Sequence, residues 1–189
     1  TYTDLKYGGS SGILSTLNAS PVISTTLIDQ SDYGLWIDGN SAPSFNTVTI
    51  QNCLYDPIAM SLTSNPTFTS IAFSANGSNG IKIIEGTLSS NATLVKRNVA
   101  GFTNIPYIVG NLNVASGAVL TLEQGIILKF RYVGFTGITV QGGLNATGIV
   151  SQKIIFTSIK DDSSGGDTNN DGSATIPSNS VWYGLRYYP

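Results

Sequence analysis

The chain has 189 residues, 41% of them hydrophobic, and a net charge of −2, which suits one domain with a sizeable core. Only 11% of residues are charged and none is histidine; this excludes a Lys/Glu-rich helical protein and every histidine-based triad, base or metal site. Nine scattered Lys and Arg residues make no basic stripe and no apolar run reaches membrane-spanning length, so neither nucleic acid nor membrane insertion is expected.

Taken in chain order, the elements repeat. A Gly or Pro opens an apolar step at Gly12-Ile13, Gly34-Leu35-Trp36-Ile37, Pro57-Ile58-Ala59-Met60 and Gly80-Ile81-Lys82-Ile83. The step returns at Pro106-Tyr107-Ile108-Val109, Gly137-Ile138-Thr139-Val140 and Gly184-Leu185-Arg186-Tyr187. The first intervals are 22, 23 and 23 residues and the later ones 26, 31 and 47, which marks insertions in the later copies. A second series runs in phase: Ser20-Pro21-Val22-Ile23, Ala42-Pro43-Ser44-Phe45, Asn65-Pro66-Thr67-Phe68, then weaker copies at Asn91-Ala92-Thr93-Leu94 and Ser116-Gly117-Ala118-Val119. A third element follows at Thr47-Val48-Thr49-Ile50 and Ser70-Ile71-Ala72-Phe73. Each repeat therefore predicts about three short strands that alternate apolar with Ser or Thr, separated by turn residues.

Recurrent prolines forbid long helices and suit corners. Asn76-Gly77 alone reads as a hairpin turn, too few for a meander. A repeat of this size cannot bury its apolar side chains alone, whereas stacked copies can. The pattern predicts a solenoid with an inner column of Ile23, Phe45, Phe68, Leu94 and Val119. Asn52, Asn76 and Asn98 are placed for a side-chain ladder, with chance alignment the competing account. A two-sheet sandwich is the fold alternative.

Three segments, Leu112 to Phe130, Ile138 to Ser158 and Asp161 to Gly172, together with Val181-Trp182-Tyr183-Gly184-Leu185, resemble the right-handed parallel β-helix repeats of large bacterial secreted and surface proteins. Those repeats are pectin-lyase-like in fold. The resemblance is close over residues 112–185 and only rung-like before that. It implies an extracellular or cell-surface location and a structural or adhesive role, with no defined activity. The chain is thus read as one all-β domain, residues 1–189. It is a right-handed single-stranded parallel β-helix of about seven turns with an Asp/Gly-rich insertion near its C-terminus. The handedness rests on the resemblance and on the general preference of parallel crossovers. Both ends read as rungs, so a longer solenoid, with flanking domains of the same polypeptide as partners, is expected.

The densest charge lies in Asp161, Asp162, Asp167 and Asp171. Asp167-Thr168-Asn169-Asn170-Asp171-Gly172 fits the first half of a D-x-N-x-D-G calcium loop, in which alternate oxygen ligands converge at a Gly turn. Ser178 stands where the closing Glu would be, and Asp161 or Asp162 is the candidate replacement. Structural calcium held by Asp167, Asn169, Asp171, Asp161 and Asp162 stands beside a solvated insertion that binds nothing. Catalysis is not expected: Asp161-Asp162 lacks a matching histidine or basic clamp, and Lys96-Arg97, with Glu85 as its nearest candidate partner, reads as an exposed turn. Surface glycans are the candidate ligands, because sugars stack on exposed rings. Trp36, Tyr55, Tyr132 and Tyr183 are the candidates, against packing under loops. Trp182 and the single cysteine, Cys53, read as structural.

Overall fold

The computed structural model describes residues 2–131, 136–179 and 181–189. Among them the regular elements are all strands, and these strands pair in parallel. Within each unit they stack as turns of a parallel β-solenoid, as the repeats predict. No helix among the described residues is long and apolar enough to cross a membrane. The chain divides into two compact units, Thr1–Lys82 with Arg97–Ile105, and Ile83–Lys96 with Pro106–Pro189.

Unit 1 carries β1 (Thr3–Lys6), β2 (Leu14–Leu17), β3 (Val22–Asp29), β4 (Leu35–Asp38), β5 (Ser44–Gln51), β6 (Ile58–Met60) and β7 (Thr67–Ser74). The boundary between the units falls within β8 (Ile81–Ile83). Strands β1, β3, β5 and β7 form one sheet, and β2, β4 and β6 pair in another. The second and third sequence elements fuse here into single eight-residue strands. Each of these bends at one left-handed residue, Thr25 (φ 50°), Thr47 (φ 58°) and Ser70 (φ 54°), and pairing skips that residue. A second left-handed column, Tyr7, Gln30, Asn52 and Ala75, follows β1, β3, β5 and β7. Its amides keep the turn-to-turn pairing: Tyr7 N donates to Asp29 O, Gln30 N to Gln51 O and Asn52 N to Ser74 O. Left-handed backbone costs about 1–2 kcal/mol at a non-glycine residue. It persists because the bonds on either side leave each corner no other path.

Inside unit 1 the register stacks Leu14 on Leu35 on Ile58, Thr26 on Val48 on Ile71, and Ile28 on Ile50 on Phe73. Fully burying one such side chain contributes roughly 1.5–3 kcal/mol, so the columns hold the stack. Ile23, Phe45 and Phe68 align as expected, and the Phe45 and Phe68 rings stack with centroids 5.7 Å apart. The rest of that column is corrected. Leu94 pairs with Leu122, and Val119 lies outside while Ala118 and Leu120 are buried. The asparagine ladder does not form either: Asn52 bonds Asp29, whereas Asn76 is buried, accepting from Cys53 N and donating to Ile50 O. Asn76-Gly77 is not a hairpin, since it joins β7 to β8, a strand of a different sheet, and Gly77 has no positive φ.

Unit 2 carries β9 (Gly86–Leu88), β10 (Ala92–Leu94), β11 (Tyr107–Val109), β12 (Asn111–Val114), β13 (Val119–Leu122), β14 (Ile127–Phe130), β15 (Gly137–Val140), β16 (Gly143–Asn145), β17 (Ile155–Ser158) and β18 (Leu185–Tyr187). Three parallel sets result: β9-β12-β15-β18, β10-β13-β16 and β11-β14-β17. Leu88, Val114 and Val140 stack on the inner side of the first set. Trp182 lies flat on Phe130 at 4.1 Å between centroids, which makes it a packing residue.

Candidate functional site

The Asp/Gly-rich insertion follows β17 and folds over a lysine that the sequence did not single out. Lys129 sits in the apolar run Ile126-Ile127-Leu128-Lys129-Phe130 and is fully buried. Its ammonium donates to Asp161 O at 2.8 Å and to Gly166 O at 2.7 Å. Burial pushes the Lys129 pKa down, while the charges of Asp161, Asp162 and Asp167 hold it up; burial wins. A buried charge is tolerated only with such partners. The signal in the sequence was a lone lysine in an otherwise apolar strand, whose register partner Thr157 lies just before the insertion.

Around this contact the acidic residues separate into two groups. Asp161 is used locally. Its Oδ2 accepts from Thr157 Oγ1 at 2.7 Å and its Oδ1 from Ser163 N at 3.1 Å. Burial raises its pKa, and the bonds from Ser163 and Thr157 outweigh that and lower it. Asp162, Asp167 and Asp171 each offer one oxygen within 4.8 Å of the others. Asp162 Oδ1 and Asn169 Oδ1 are buried without a hydrogen-bond partner. Asn169 donates to Asp171 Oδ2 at 2.6 Å, and Asp167 accepts from Asp171 N and Gly172 N. The Thr175 hydroxyl bond, with bonds from Ser173 and Ala174 amides, holds the Asp171 carboxyl below its ordinary range. This all-oxygen donor set fits a hard cation such as calcium.

A second feature lies on the outer face of β9, β12, β15 and β18. The register places Thr87, Asn113, Thr139 and Arg186 in one row across four strands. The row floors a groove of about 420 Å³ that Glu85, Asn111 and Tyr183 also line. Arg186 lies over the Tyr183 ring, 4.2 Å from its centroid. Asn113 Oδ1 is buried with no partner. Glu85 folds over Gly110, where any side chain would collide with its carboxylate.

In unit 1, Trp36 packs edge-on against Tyr33 at 5.2 Å, and Tyr33 meets Tyr55 at 5.3 Å. Lys82 donates to the Tyr33 hydroxyl and lies 5.0 Å from its ring centroid. Tyr55 is 45% exposed, so the cluster presents an aromatic surface.

The family model described as "Right handed beta helix region" matches residues 1–110. The chain belongs to that family. No curated protein and no solved structure matches it. The match falls on the stretch that the sequence showed only as rungs, while the motifs that carried the resemblance lie beyond it, in residues 112–185.

Within the β-helix the predicted site residues are distributed as follows. Asp162, Asp167 and Asp171 come together and Asn169 joins them through Asp171, whereas Asp161 turns to Thr157 and Ser163. Trp36 and Tyr55 are brought into one cluster by Tyr33, which sequence reasoning missed along with Lys82. Tyr183 joins Arg186 instead. Tyr132 lies outside the described residues. Lys96 pairs with Glu123 (3.6 Å) rather than Glu85, and Arg97 donates to Pro66 O and Asn65 Oδ1.

Proposed function

We propose that the chain is a non-enzymatic structural and adhesive β-helix module of a large exported bacterial surface protein. The observation that carries this reading is where the polar side chains go. Asn18 accepts from Asn40 N, Ser20 from Ala42 N, Asp29 from Asn52, Ser44 from Thr67 and Asp56 from Ser78, each 22 or 23 residues away. These bonds tie successive turns of unit 1 together, and Lys129 ties the insertion of unit 2 to its strand. Polar groups committed to bracing are what a stiff spacer needs. Calcium held by Asp162, Asp167, Asp171 and Asn169 is assigned a structural part in this reading, stiffening the insertion. Flanking domains of the same polypeptide are the partners that the spacer carries. The low charge and the Ser/Thr/Asn-rich surface agree with an extracellular or cell-surface location.

The test is a turnover assay on acidic and neutral polysaccharides, scored for new reducing or unsaturated ends, with calcium and again with EDTA. No product is expected. Turnover that disappears in Glu85→Gln or Asp162→Asn would overturn the reading in favour of a polysaccharide-processing enzyme.

Carbohydrate binding is the second reading, favoured by the Tyr33, Trp36 and Tyr55 cluster with its lysine. A cluster with one exposed and two half-buried rings beside a cation suits sugar faces and hydroxyls. A glycan array run in calcium and in EDTA tests it; loss of binding in Tyr55→Ala is the expected result.

A further inference from the structure

The groove along β9, β12, β15 and β18 combines two charges outside any ion pair with one buried, unsatisfied acceptor. Arg186 and Glu85 are in no ion pair among the described residues. Asn113 lines the groove, and its Oδ1 is a buried acceptor without a donor in the protein, a costly arrangement that a turn of the side-chain amide toward a ligand hydroxyl relieves. The Arg186 guanidinium lies over the Tyr183 ring, 4.2 Å from its centroid, a contact that helps to position its fork of N–H donors for a carboxylate. Adjacent strands lie about 4.8 Å apart, so the four-strand row runs for roughly 14 Å, enough for a few linked sugar rings. Its floor is a sheet face whose backbone groups are already paired. A peptide recognised by strand addition needs an edge instead. Hydroxyls and amides, Thr87, Asn113 and Thr139, are what that floor offers, and they suit a polyol.

The charges at the two ends of the row are opposite. Arg186 favours an acidic group on β18, and Glu85, just before β9, repels one. A chain with an acid on every unit would set a carboxylate against Glu85, which is how a site rejects a near relative of its ligand. We infer that this groove binds a short oligosaccharide with one acidic sugar, seated at Arg186, followed by uncharged sugars that donate to Asn113 and Glu85. The inference deepens the carbohydrate-binding reading but uses none of the Tyr33, Trp36 and Tyr55 surface.

The experiment is calorimetric titration of the whole chain in EDTA with three probes. They are a neutral disaccharide capped by one acidic sugar (sialyllactose), its uncharged parent lactose, and a linear triuronate. The singly acidic trisaccharide is expected to bind best. Arg186→Ala weakens it about ten- to a hundredfold, the range of a charge-assisted bond. Arg186→Lys, which keeps the charge and loses the fork, recovers part of this. Glu85→Gln strengthens triuronate binding roughly fivefold by removing one like-charge contact. Melting temperatures of the variants, all altered at surface side chains, show that each is folded. Equal or tighter binding of triuronate by the unaltered chain overturns the inference, as does an Arg186→Ala variant that binds normally, or no binding of any probe. Binding lost in Tyr55→Ala but kept in Arg186→Ala sinks this groove while leaving the carbohydrate reading in place.

Discussion

Replacing Lys129 with Met keeps the length and apolar bulk of the side chain and removes the ammonium. Two carbonyls, Asp161 O and Gly166 O, then lose their donor. Left buried and unpaired they cost about 1–3 kcal/mol each, and Asp161, Asp162 and Asp167 lose the positive charge they face. Some of this is offset because the ammonium no longer has to be desolvated, the cost that already lowers its pKa. The loop has a cheaper course than staying shut: it lifts and hydrates. The expected loss is about 2–4 kcal/mol of loop-closing free energy, or a rise of roughly thirty- to eight-hundred-fold in amide exchange. The rise is expected at Thr168, whose side chain is fully buried, and its neighbours. Hydrogen exchange read by mass spectrometry on peptides covering residues 159–175 measures it, with peptides covering β3 and β5 as the unaffected reference. Unchanged protection over the insertion would refute the idea that Lys129 fastens it.

Phe45→Ala empties the site beneath the Phe68 ring, where Phe45 is 1% exposed, and a chemical melt is expected to show a loss of about 3–5 kcal/mol. Thr47→Asn replaces a β-branched residue at φ 58° with one that tolerates that backbone; a gain of about 1 kcal/mol, or about 2–4 °C in Tm, is expected by calorimetry. Cys53 is 2% exposed and burial raises its thiol pKa, so a disulfide reagent is expected to label it far more slowly than a free thiol at neutral pH. Asn76→Ala removes the bonds to Cys53 N and Ile50 O; it is expected to cost about 2–5 kcal/mol in urea titration and to speed that labelling.

Much of the architecture was legible because turn chemistry is local. Pro21, Pro43 and Pro66 mark equivalent corners before the long strands, and Gly34 and Pro57 stand just before β4 and β6. The fused strands were not legible, because threonine gives no sign that its backbone turns left-handed at Thr25 and Thr47. The phase error at Val119 arose from one turn. Gly117, with φ 83°, resets the chain so that Ala118 and Leu120 face inward. The acidic triad was visible as composition, since its members lie within ten residues of one another. Lys129 was not, because its role depends on a loop that returns to it from a later turn. Arg186 and Asn113 needed the register for the same reason: strands from four successive turns define their row.

The matching corners of unit 1 bear on how such a gene changes length. Gln30 and Asn52 hold the same backbone conformation at the same point of successive turns, and each continues the same ladder of bonds. Excision of codons 30–51 by unequal recombination would join Asp29 to Asn52, corner to corner. The strands on either side would meet with their inward and outward faces unchanged. Gain or loss of 22 or 23 codons at these corners is therefore silent to the core, whereas a change of one codon inverts every face that follows within the strand. Length becomes a trait that selection can adjust in whole steps.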